Sequence, residues 1–304
     1  MKLVTYRGDS GPRAGVLDSG TSTVTDAGTA LGEPAGVAVA DLVARWDTVA
    51  ATLAGGIRKA PGGVPLTDLT LLAPVPVPAR NIMCVGKNYR DHSAEFARSG
   101  FDASGGPDGA PEIPSRPVIF TKSPGSVIGP GEPIDPHARL TSSLDYEAEL
   151  AVIIGPGGRG IPAGRAWDHV WGYTIINDVT ARDLQRDHKQ WFLGKSLDTF
   201  CPMGPWAVTA DEVNATSLDV TCHVNGELRQ KASTRDLIFG IPELIETLSA
   251  GITLRPGDII ATGTPAGVGI GFTPPRFLTD GDVVTVEIEG LGTLTNPVRT
   301  TEGA

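Results

Sequence analysis

The sequence predicts a β-rich mixed α+β protein, and three observations lead to this class. Glycine and proline are frequent, with 39 and 25 residues among 304, and they separate short apolar runs. Most of those runs are rich in Val, Ile and Thr, which favours strands. The clearest helical spacing of apolar residues lies at 37–56 and 234–251, so we expect few helices among many strands.

The chain is predicted to divide into two parts. Residues 1–73 should form a small N-terminal α+β domain, with strands at KLVTYR, RAGVLD and STVTD followed by the helix at 37–56. Proline recurs through residues 66–80, which predicts an extended linker. Residues 74–304 carry the remaining strands and are predicted to form the larger, chemically active domain, which is β-rich and mixed with a few helices.

Charge and targeting signals narrow the class of function. The formal net charge is −10 and no basic stripe is present, which argues against nucleic-acid binding but leaves a small anionic substrate or a divalent cation possible. No signal peptide or membrane-spanning apolar run is present, so we expect a cytoplasmic protein with no membrane partner. Cys84, Cys201 and Cys222 are predicted to be small buried residues, because an odd, widely spaced set favours neither disulfides nor zinc.

Three acids occupy an apolar segment that is typical of a buried strand, LDYEAELAVII at residues 144–154. Side chains alternate along a strand, so Asp145, Glu147 and Glu149 should share one face. Neighbouring buried carboxylates repel unless a cation lies between them, and oxygen ligands suit Mg²⁺, Mn²⁺ or Ca²⁺. The alternative is an edge strand whose acidic face meets solvent.

Two further segments could complete such a site. Asp178 ends the apolar strand GYTIIND, where it could be a third ligand or merely a helix N-cap. Lys195 stands between Gly194 and Ser196 in an apolar neighbourhood. There it could stabilise an oxyanion beside the metal, or it could be a surface lysine.

A histidine and a turn are the remaining candidates. His92 and Glu95 would lie on one face of a helix that begins near Asp91, where the carboxylate could orient the imidazole as a general base. A structural or exposed histidine is the alternative. Backbone N–H groups and the Thr264 hydroxyl in TGTPAGVG could hold a substrate carboxylate, although a tight turn explains the pattern equally well. The Gly- and Pro-rich stretch at 99–116 is typical of a lid loop.

Six blocks, in this order, resemble the fumarylacetoacetate hydrolase family. The likeness covers residues 74–298, and the N-terminal unit is similar to that of bacterial members known as 2-hydroxyhepta-2,4-diene-1,7-dioate isomerases or acylpyruvate hydrolases. The blocks are VGKNYRDHSAE, PVIFTKSPGSVIGPGEPI, DYEAELAVIIG, GYTIINDVTARDLQ, GKSLDTFCPMGPW and LRPGDIIATGTPAGVG.

The resemblance implies a C-terminal domain of layered mixed β-sheets and a particular site. It implies a homodimer that acts on a small 2-oxo or 2,4-dioxo carboxylate, with Mg²⁺ or Mn²⁺ held by Glu147, Glu149 and Asp178. Calcium could substitute for either ion. It also implies that Lys195 assists an enolate and that a His92–Glu95 pair orders over the substrate. Substrate contacts are predicted at five positions in or beside the matching blocks: Arg90, Lys122, Arg182, Gln185 and Thr264.

The expected reaction is metal-dependent hydrolysis of the C–C bond of a 2,4-dioxo acid, of the acylpyruvate or fumarylpyruvate type, through a metal-stabilised pyruvate enolate. His92 would activate the water, in a pathway of aromatic catabolism. Isomerisation of a hydroxyheptadienedioate, or decarboxylation of an oxaloacetate-type acid, would use the same enolate and stays open. A non-catalytic carboxylate-binding module is a third hypothesis, which the complete set of candidate residues disfavours.

Overall fold

The computed structural model describes residues 1–60, 62–101 and 113–301. Residues 102–112 of the predicted lid loop lie outside these ranges. Within them the chain forms seven α-helices: α1 Ala27–Leu31, α2 Val39–Ala44, α3 Trp46–Ile57, α4 Arg90–Arg98, α5 Arg182–Asp187, α6 Phe192–Lys195 and α7 Ile241–Ser249. Short 3₁₀ turns occur as well, among them Gly269–Gly271.

The same described ranges contain eighteen strands. In chain order they are β1 Lys2–Gly8, β2 Gly11–Asp18, β3 Thr23–Asp26, β4 Val64–Pro65, β5 Leu71–Leu72, β6 Ile82–Gly86, β7 Val118–Lys122, β8 Val127–Ile128, β9 Leu144–Asp145, β10 Ala148–Ile154, β11 Val170–Asn177, β12 Thr180–Ala181, β13 Cys201–Thr209, β14 Asp219–Val224, β15 Glu227–Ser233, β16 Ile259–Ala261, β17 Val283–Ile288 and β18 Gly292–Pro297.

The strands form one large mixed sheet and two smaller sheets. The large sheet runs β4-β3-β2-β1-β13-β11-β10-β16-β6-β7, with β5 paired to β1 and β8 paired to β13. A four-stranded sheet runs β15-β14-β17-β18, and β9 pairs with β12. This arrangement confirms the predicted strand-rich α+β class with layered sheets. Because β1 pairs with β13, the large sheet crosses the boundary predicted near residue 73, and the division into two domains stays a prediction.

Two central strands, β10 and β11, are buried along their whole length. On one face of β10, Leu150 and Val152 pack into a core shared with the four-stranded sheet and α7. On the other face Ile153 packs in the cluster that contains Leu42 of α2 and Leu53 of α3. Layers therefore cover both faces of the central sheet, so an acid on β10 has no open solvent face to occupy.

The helix predicted at 37–56 is divided into α2 and α3 at Arg45, which has the non-helical angles φ −122 and ψ 22. The Arg45 guanidinium forms two hydrogen bonds to Glu33, of 2.8 and 2.7 Å, and these stabilise the break. The predicted helix at 234–251 is shorter than expected, because α7 begins only at Ile241, with Pro242 in its first turn.

Candidate metal and active site

The acidic cluster lies where β10 begins and β11 ends. The two strands are antiparallel, with Ala148 opposite Asn177 and Glu149 opposite Ile176. Continuing that register brings Asp178 beside Glu147, and the Asp178 N–H donates to the Glu147 carbonyl at 2.8 Å. The sheet register thus joins two acids that lie far apart in the sequence.

Carboxylate oxygens of Glu147, Glu149 and Asp178 lie within 4.8 Å of one another. The three side chains are nearly inaccessible, with 4, 1 and 0% exposure. A compact set of oxygen donors is the ligand type that Mg²⁺ and Mn²⁺ prefer. The structure therefore brings together the three residues predicted to bind the metal.

Two buried lysines hold Asp178 from opposite sides. Lys195 Nζ donates to Glu147 Oε2 at 2.7 Å and to Asp178 Oδ2 at 2.9 Å. Lys122 Nζ donates to Asp178 Oδ1 at 2.6 Å and to the Val179 carbonyl at 3.1 Å, and it also contacts the Lys195 carbonyl. Because all of these contacts are to groups of the protein, Lys122 fixes the Asp178 side chain. Its predicted substrate contact has no geometric support.

Arg182 links the acidic cluster to Asp145, the first acid of the segment LDYEAELAVII. Its Nη1 lies 2.7 Å from Glu147 Oε1, and its Nε donates to Asp145 Oδ2 at 2.8 Å. Nη1 also donates to Gln185 Oε1 at 3.2 Å. Arg182 Nη2 is buried without a hydrogen-bond partner in the described part of the chain, which leaves one strong donor for an incoming acceptor.

Charge counting shows why a cation suits this site. Four buried acids, Asp145, Glu147, Glu149 and Asp178, meet three buried cations, Lys122, Arg182 and Lys195, so one negative charge is uncompensated. Glu149 has no lysine or arginine partner among the described residues and accepts only the Gly263 N–H, at 2.8 Å. A divalent ion in this oxygen set would reverse the net charge from negative to positive and so favour an anionic substrate.

The pKa directions follow the same pairing. Burial alone would raise the pKa of Glu147, but Lys195 and Arg182 outweigh burial and lower it to about 2. Burial, followed by Asp178 and Glu147, raises the pKa of Glu149 well above its usual range. Burial favours the neutral form of Lys195, yet Asp178 and Glu147 prevail and raise its pKa. Glu149 therefore lacks a cation that would stabilise its charged form, and a bound metal ion would supply one.

A histidine–glutamate pair faces this cluster from α4. His92 Nδ1 lies 3.2 Å from Glu95 Oε2, and both residues are largely buried. Glu95 also accepts the Gly267 N–H through both oxygens, at 3.0 and 3.2 Å. Parallel pairing of β6 with β16 puts the segments that follow them at the same edge of the sheet, which is why α4 meets this glycine.

His92 and two of the metal-ligand candidates line one narrow cavity of about 10 Å³, the room of a single water. Three of the predicted substrate contacts, Arg182, Gln185 and Thr264, line it as well. Arg90 is exposed and lies outside this lining, in a neighbouring cleft. The aromatic wall, which sequence reasoning missed, consists of Phe96, Phe120 and Trp191.

The turn after β16 uses several of its N–H groups within the protein itself. Its N–H groups bind carboxylates of the protein: Gly263 binds Glu149, Gly267 binds Glu95 and Gly269 binds Asp145. Thr264 Oγ1 accepts from Gln230 Nε2 at 2.8 Å. Sequence reasoning did not single out Gln230. The closely spaced glycines of GVGIG were the available sequence signal that the backbone comes close to Glu95 and Asp145.

Several other expectations are resolved by burial. Cys84, Cys201 and Cys222 are all buried and free, as predicted. Burial raises the pKa of the Cys201 thiol to about 12, which makes it unreactive.

No helix in the described ranges has the length and apolar character needed to cross a bilayer.

Layered sheets around a buried set of acidic ligands define a class of metal-binding enzyme folds, and comparisons with known proteins identify which one. Residues 81–299 match the family model described as "Fumarylacetoacetate (FAA) hydrolase C-terminal". Oxaloacetate tautomerase YisK of Bacillus subtilis (strain 168) is 55% identical over 234 residues, which are 77% of this chain and 74% of that protein. The chain therefore belongs to the fumarylacetoacetate hydrolase family, as its motifs predicted.

Solved structures extend the likeness to the whole chain. A fumarylacetoacetate hydrolase from Exiguobacterium antarcticum is 42% identical with a TM-score of 0.79, over 99% of this chain and 100% of that chain. Maleylpyruvate hydrolase from Sphingobium sp. SYK-6, in complex with manganese(II) and pyruvate, is 30% identical with a TM-score of 0.78 and the same coverage. Relatives with this fold thus include a tautomerase and hydrolases, and family membership alone leaves the reaction open.

Proposed function

We propose that the protein is a divalent-metal-dependent enzyme that moves a proton at C3 of a short 2-oxo dicarboxylate of the oxaloacetate type, interconverting its enol and keto forms. The observation that carries this proposal is His92, which contacts Glu95 and shares a narrow, aromatic-walled cavity with Glu147 and Glu149. A base that shares a cavity with the proposed metal ligands suits proton transfer next to a metal-bound 2-oxo group. The 55% identity to an oxaloacetate tautomerase supports the same choice.

The metal residues fit a hard divalent cation. Glu147, Glu149 and Asp178 would hold Mg²⁺ or Mn²⁺, which would supply Lewis acidity to the carboxylate and 2-oxo oxygens of the substrate. Lys195, kept charged by Glu147 and Asp178, can donate to the C2 oxygen as negative charge develops there.

Proton movement is assigned to His92. If Nδ1 carries the ring proton and donates a hydrogen bond to Glu95, Nε2 is unprotonated and can act as the base that removes or returns the C3 proton. Arg182 Nη2, buried without a partner in the described ranges, would bind a substrate carboxylate oxygen, and Gln185 lines the same cavity. A substrate carboxylate would supply the hydrogen-bond acceptor that Arg182 Nη2 lacks. Charge-assisted hydrogen bonds of this kind select carboxylates.

Hydrolysis of a 2,4-dioxo acid, the reaction first expected, is the second candidate. The same His92–Glu95 pair could activate a water, and the cavity has room for one. The likeness to a maleylpyruvate hydrolase in complex with manganese and pyruvate favours this candidate. Decarboxylation and dienoate isomerisation would use the same residues and are separated by their products.

A substrate panel with Mg²⁺ or Mn²⁺ tests these alternatives. Enol-oxaloacetate, an acylpyruvate, fumarylpyruvate and a hydroxydienedioate would each be followed by ultraviolet absorbance and by pyruvate release. We expect the enol absorbance of oxaloacetate to decay far faster with enzyme, without pyruvate. Pyruvate with a carboxylic acid co-product would establish hydrolysis instead, and pyruvate with CO₂ would establish decarboxylation.

A further inference from the structure

Asp145, the first acid of the segment LDYEAELAVII, belongs to neither the proposed metal ligands nor the His92–Glu95 pair, yet it is fully buried. Its carboxylate accepts four hydrogen bonds. Oδ1 accepts from the N–H groups of Tyr146 at 2.9 Å and Gly269 at 2.6 Å. Oδ2 accepts from Arg182 Nε at 2.8 Å and from the Ile270 N–H at 3.2 Å.

Two of these bonds fix the loop Gly267–Gly271, which lies directly against α4. Gly267 N–H donates to Glu95, and a Cβ at Gly271 would lie only 1.7 Å from Glu95 Oε1. Between these glycines, Val268 and Ile270 pack against Phe96 of the same helix. The loop is therefore the surface on which the helix that carries His92 and Glu95 rests.

The other side of Asp145 reaches the metal ligands. Arg182, oriented by its bond to Asp145, lies 2.7 Å from Glu147 Oε1 through its second nitrogen. One carboxylate thus joins the loop beneath the catalytic helix to a ligand of the metal cluster. Loss of the bonds from Asp145 to the loop, or of its bond to Arg182, would let His92 and the metal ligands shift relative to each other.

We propose that Asp145 is a positioning residue, which fixes the His92–Glu95 helix at a set distance from the metal ligands by holding the Gly267–Gly271 loop and Arg182 together. It touches no substrate and acts only through these two groups. The effect on turnover rests on the proposed function of His92 and Glu95, whereas the effect on the helix does not.

The variant Asp145→Asn tests this role at nearly constant volume. An asparagine replaces one acceptor oxygen by an NH₂ group, which then faces two donors, so two of the four hydrogen bonds are lost. With the metal-loaded protein, we expect amide hydrogen exchange in residues 90–98 to become roughly 10-fold faster or more. We also expect kcat to fall about 10- to 100-fold, the usual cost of losing an outer ligand-orienting partner, and the substrate KM to rise, because Asp145 orients the arginine proposed to bind the substrate carboxylate.

Two comparisons separate positioning from general damage. Gly269→Ala attacks the same contact from the loop, because its Cβ would lie 2.6 Å from the Arg276 carbonyl and 2.7 Å from Asp145 Oδ1. It should reproduce both effects, and it keeps the test available if Asp145→Asn does not fold. Asp282→Asn is the matched control: Asp282 also accepts a loop N–H, from Thr279 at 2.7 Å, but lies outside the site, so both readouts should match wild type.

A double-mutant cycle with Glu95→Gln gives the decisive result. If Asp145 acts through the helix, Asp145→Asn should slow a protein that already carries Glu95→Gln far less than it slows wild type. Fully multiplicative losses, or unchanged exchange in residues 90–98, would overturn the proposal. Exchange needs no substrate, so inactivity of wild type on oxaloacetate would reject the proposed function and leave this test standing.

Discussion

The three carboxylates proposed to bind the metal and the helix that carries the proposed base, α4, are held in place by different contacts. Glu147, Glu149 and Asp178 project from the ends of two central, fully buried strands, and two buried lysines and an arginine bind Glu147 and Asp178. Helix α4 has no side-chain N-cap, and a loop amide and a few apolar contacts hold it over the cluster. Sheet register thus fixes the metal ligands, whereas loop contacts fix the base.

The difference predicts that damage to each part should look different in experiments. Loss of a metal ligand should affect ion binding, and when it strips a buried cation of its partner it should also affect stability. Loss of the base should affect turnover alone. The following predictions, in order of decreasing effect on turnover or stability, probe this separation.

Asp178→Asn should abolish metal-supported turnover. Asp178 is a proposed ligand and also binds Lys122 and Lys195, so its loss disturbs the whole cluster. Metal-ion catalysis contributes several kcal/mol, so we expect a fall of roughly 1,000-fold or more at saturating Mg²⁺. Asp187→Asn, a surface change of the same chemistry, should behave as wild type. Full activity of Asp178→Asn in chelator-treated buffer would contradict the metal assignment.

His92→Asn should lower kcat by about 100-fold or more, the usual contribution of a general base, while metal affinity stays at the wild-type value. Initial rates and Mn²⁺ titration of the same preparation check both statements. A variant that lost Mn²⁺ together with activity would show that the helix and the cluster are a single unit, and the comparison would fail.

Lys195→Met should destabilise the metal-free protein by about 3–5 kcal/mol, because Glu147 and Asp178 lose a buried partner. Saturating Mg²⁺ should restore part of that stability by compensating the same carboxylates. Denaturant unfolding with and without Mg²⁺ measures the effect, and the exposed Lys189→Met is the control. Equal losses with and without Mg²⁺ would place Lys195 outside the cluster's charge balance.

These predictions test a site that sequence reasoning reached only in part. Period-two alternation made Glu147 and Glu149 candidates and the end of an apolar strand made Asp178 one, and the family resemblance joined them into one ligand set. Those signals are local, so a single sequence carries them. The expectation that Asp145 shares their strand face fails, because the strand is interrupted after Asp145 and resumes at Ala148.

The contacts between Asp145 and the GVGIG loop could not be predicted for a related reason. Asp145 and Gly269 are separated by 124 residues, and only tertiary packing brings a buried carboxylate to those amides. The same limit explains Lys122, which its matching block marked for substrate but which the fold sets beneath Asp178. The strand-rich α+β class was easier to predict, because Gly and Pro punctuation and β-branched runs are local properties, whereas the layered sheets followed from the family resemblance.

The pH dependence of metal-free stability gives the smallest effect. Glu149 has a folded-state pKa raised well above its usual value, chiefly by burial. Its neutral form therefore favours folding below the unfolded pKa of about 4.3, and that advantage is lost as pH rises through the folded pKa. In chelator, wild-type Tm should fall relative to Glu149→Gln as pH is raised from about 4.3 towards neutrality. Parallel Tm curves would show that Glu149 is compensated without a metal.

Mn²⁺ binding to wild type, His92→Asn and Glu149→Gln is the most direct test of the central claim, that the carboxylates hold the metal and the helix supplies the base. Isothermal titration at neutral pH would count the ions bound to each protein. We expect one ion per chain for wild type and His92→Asn, with similar affinity, and none for Glu149→Gln. Wild-type affinity in Glu149→Gln, or loss of the ion in His92→Asn, would contradict the account.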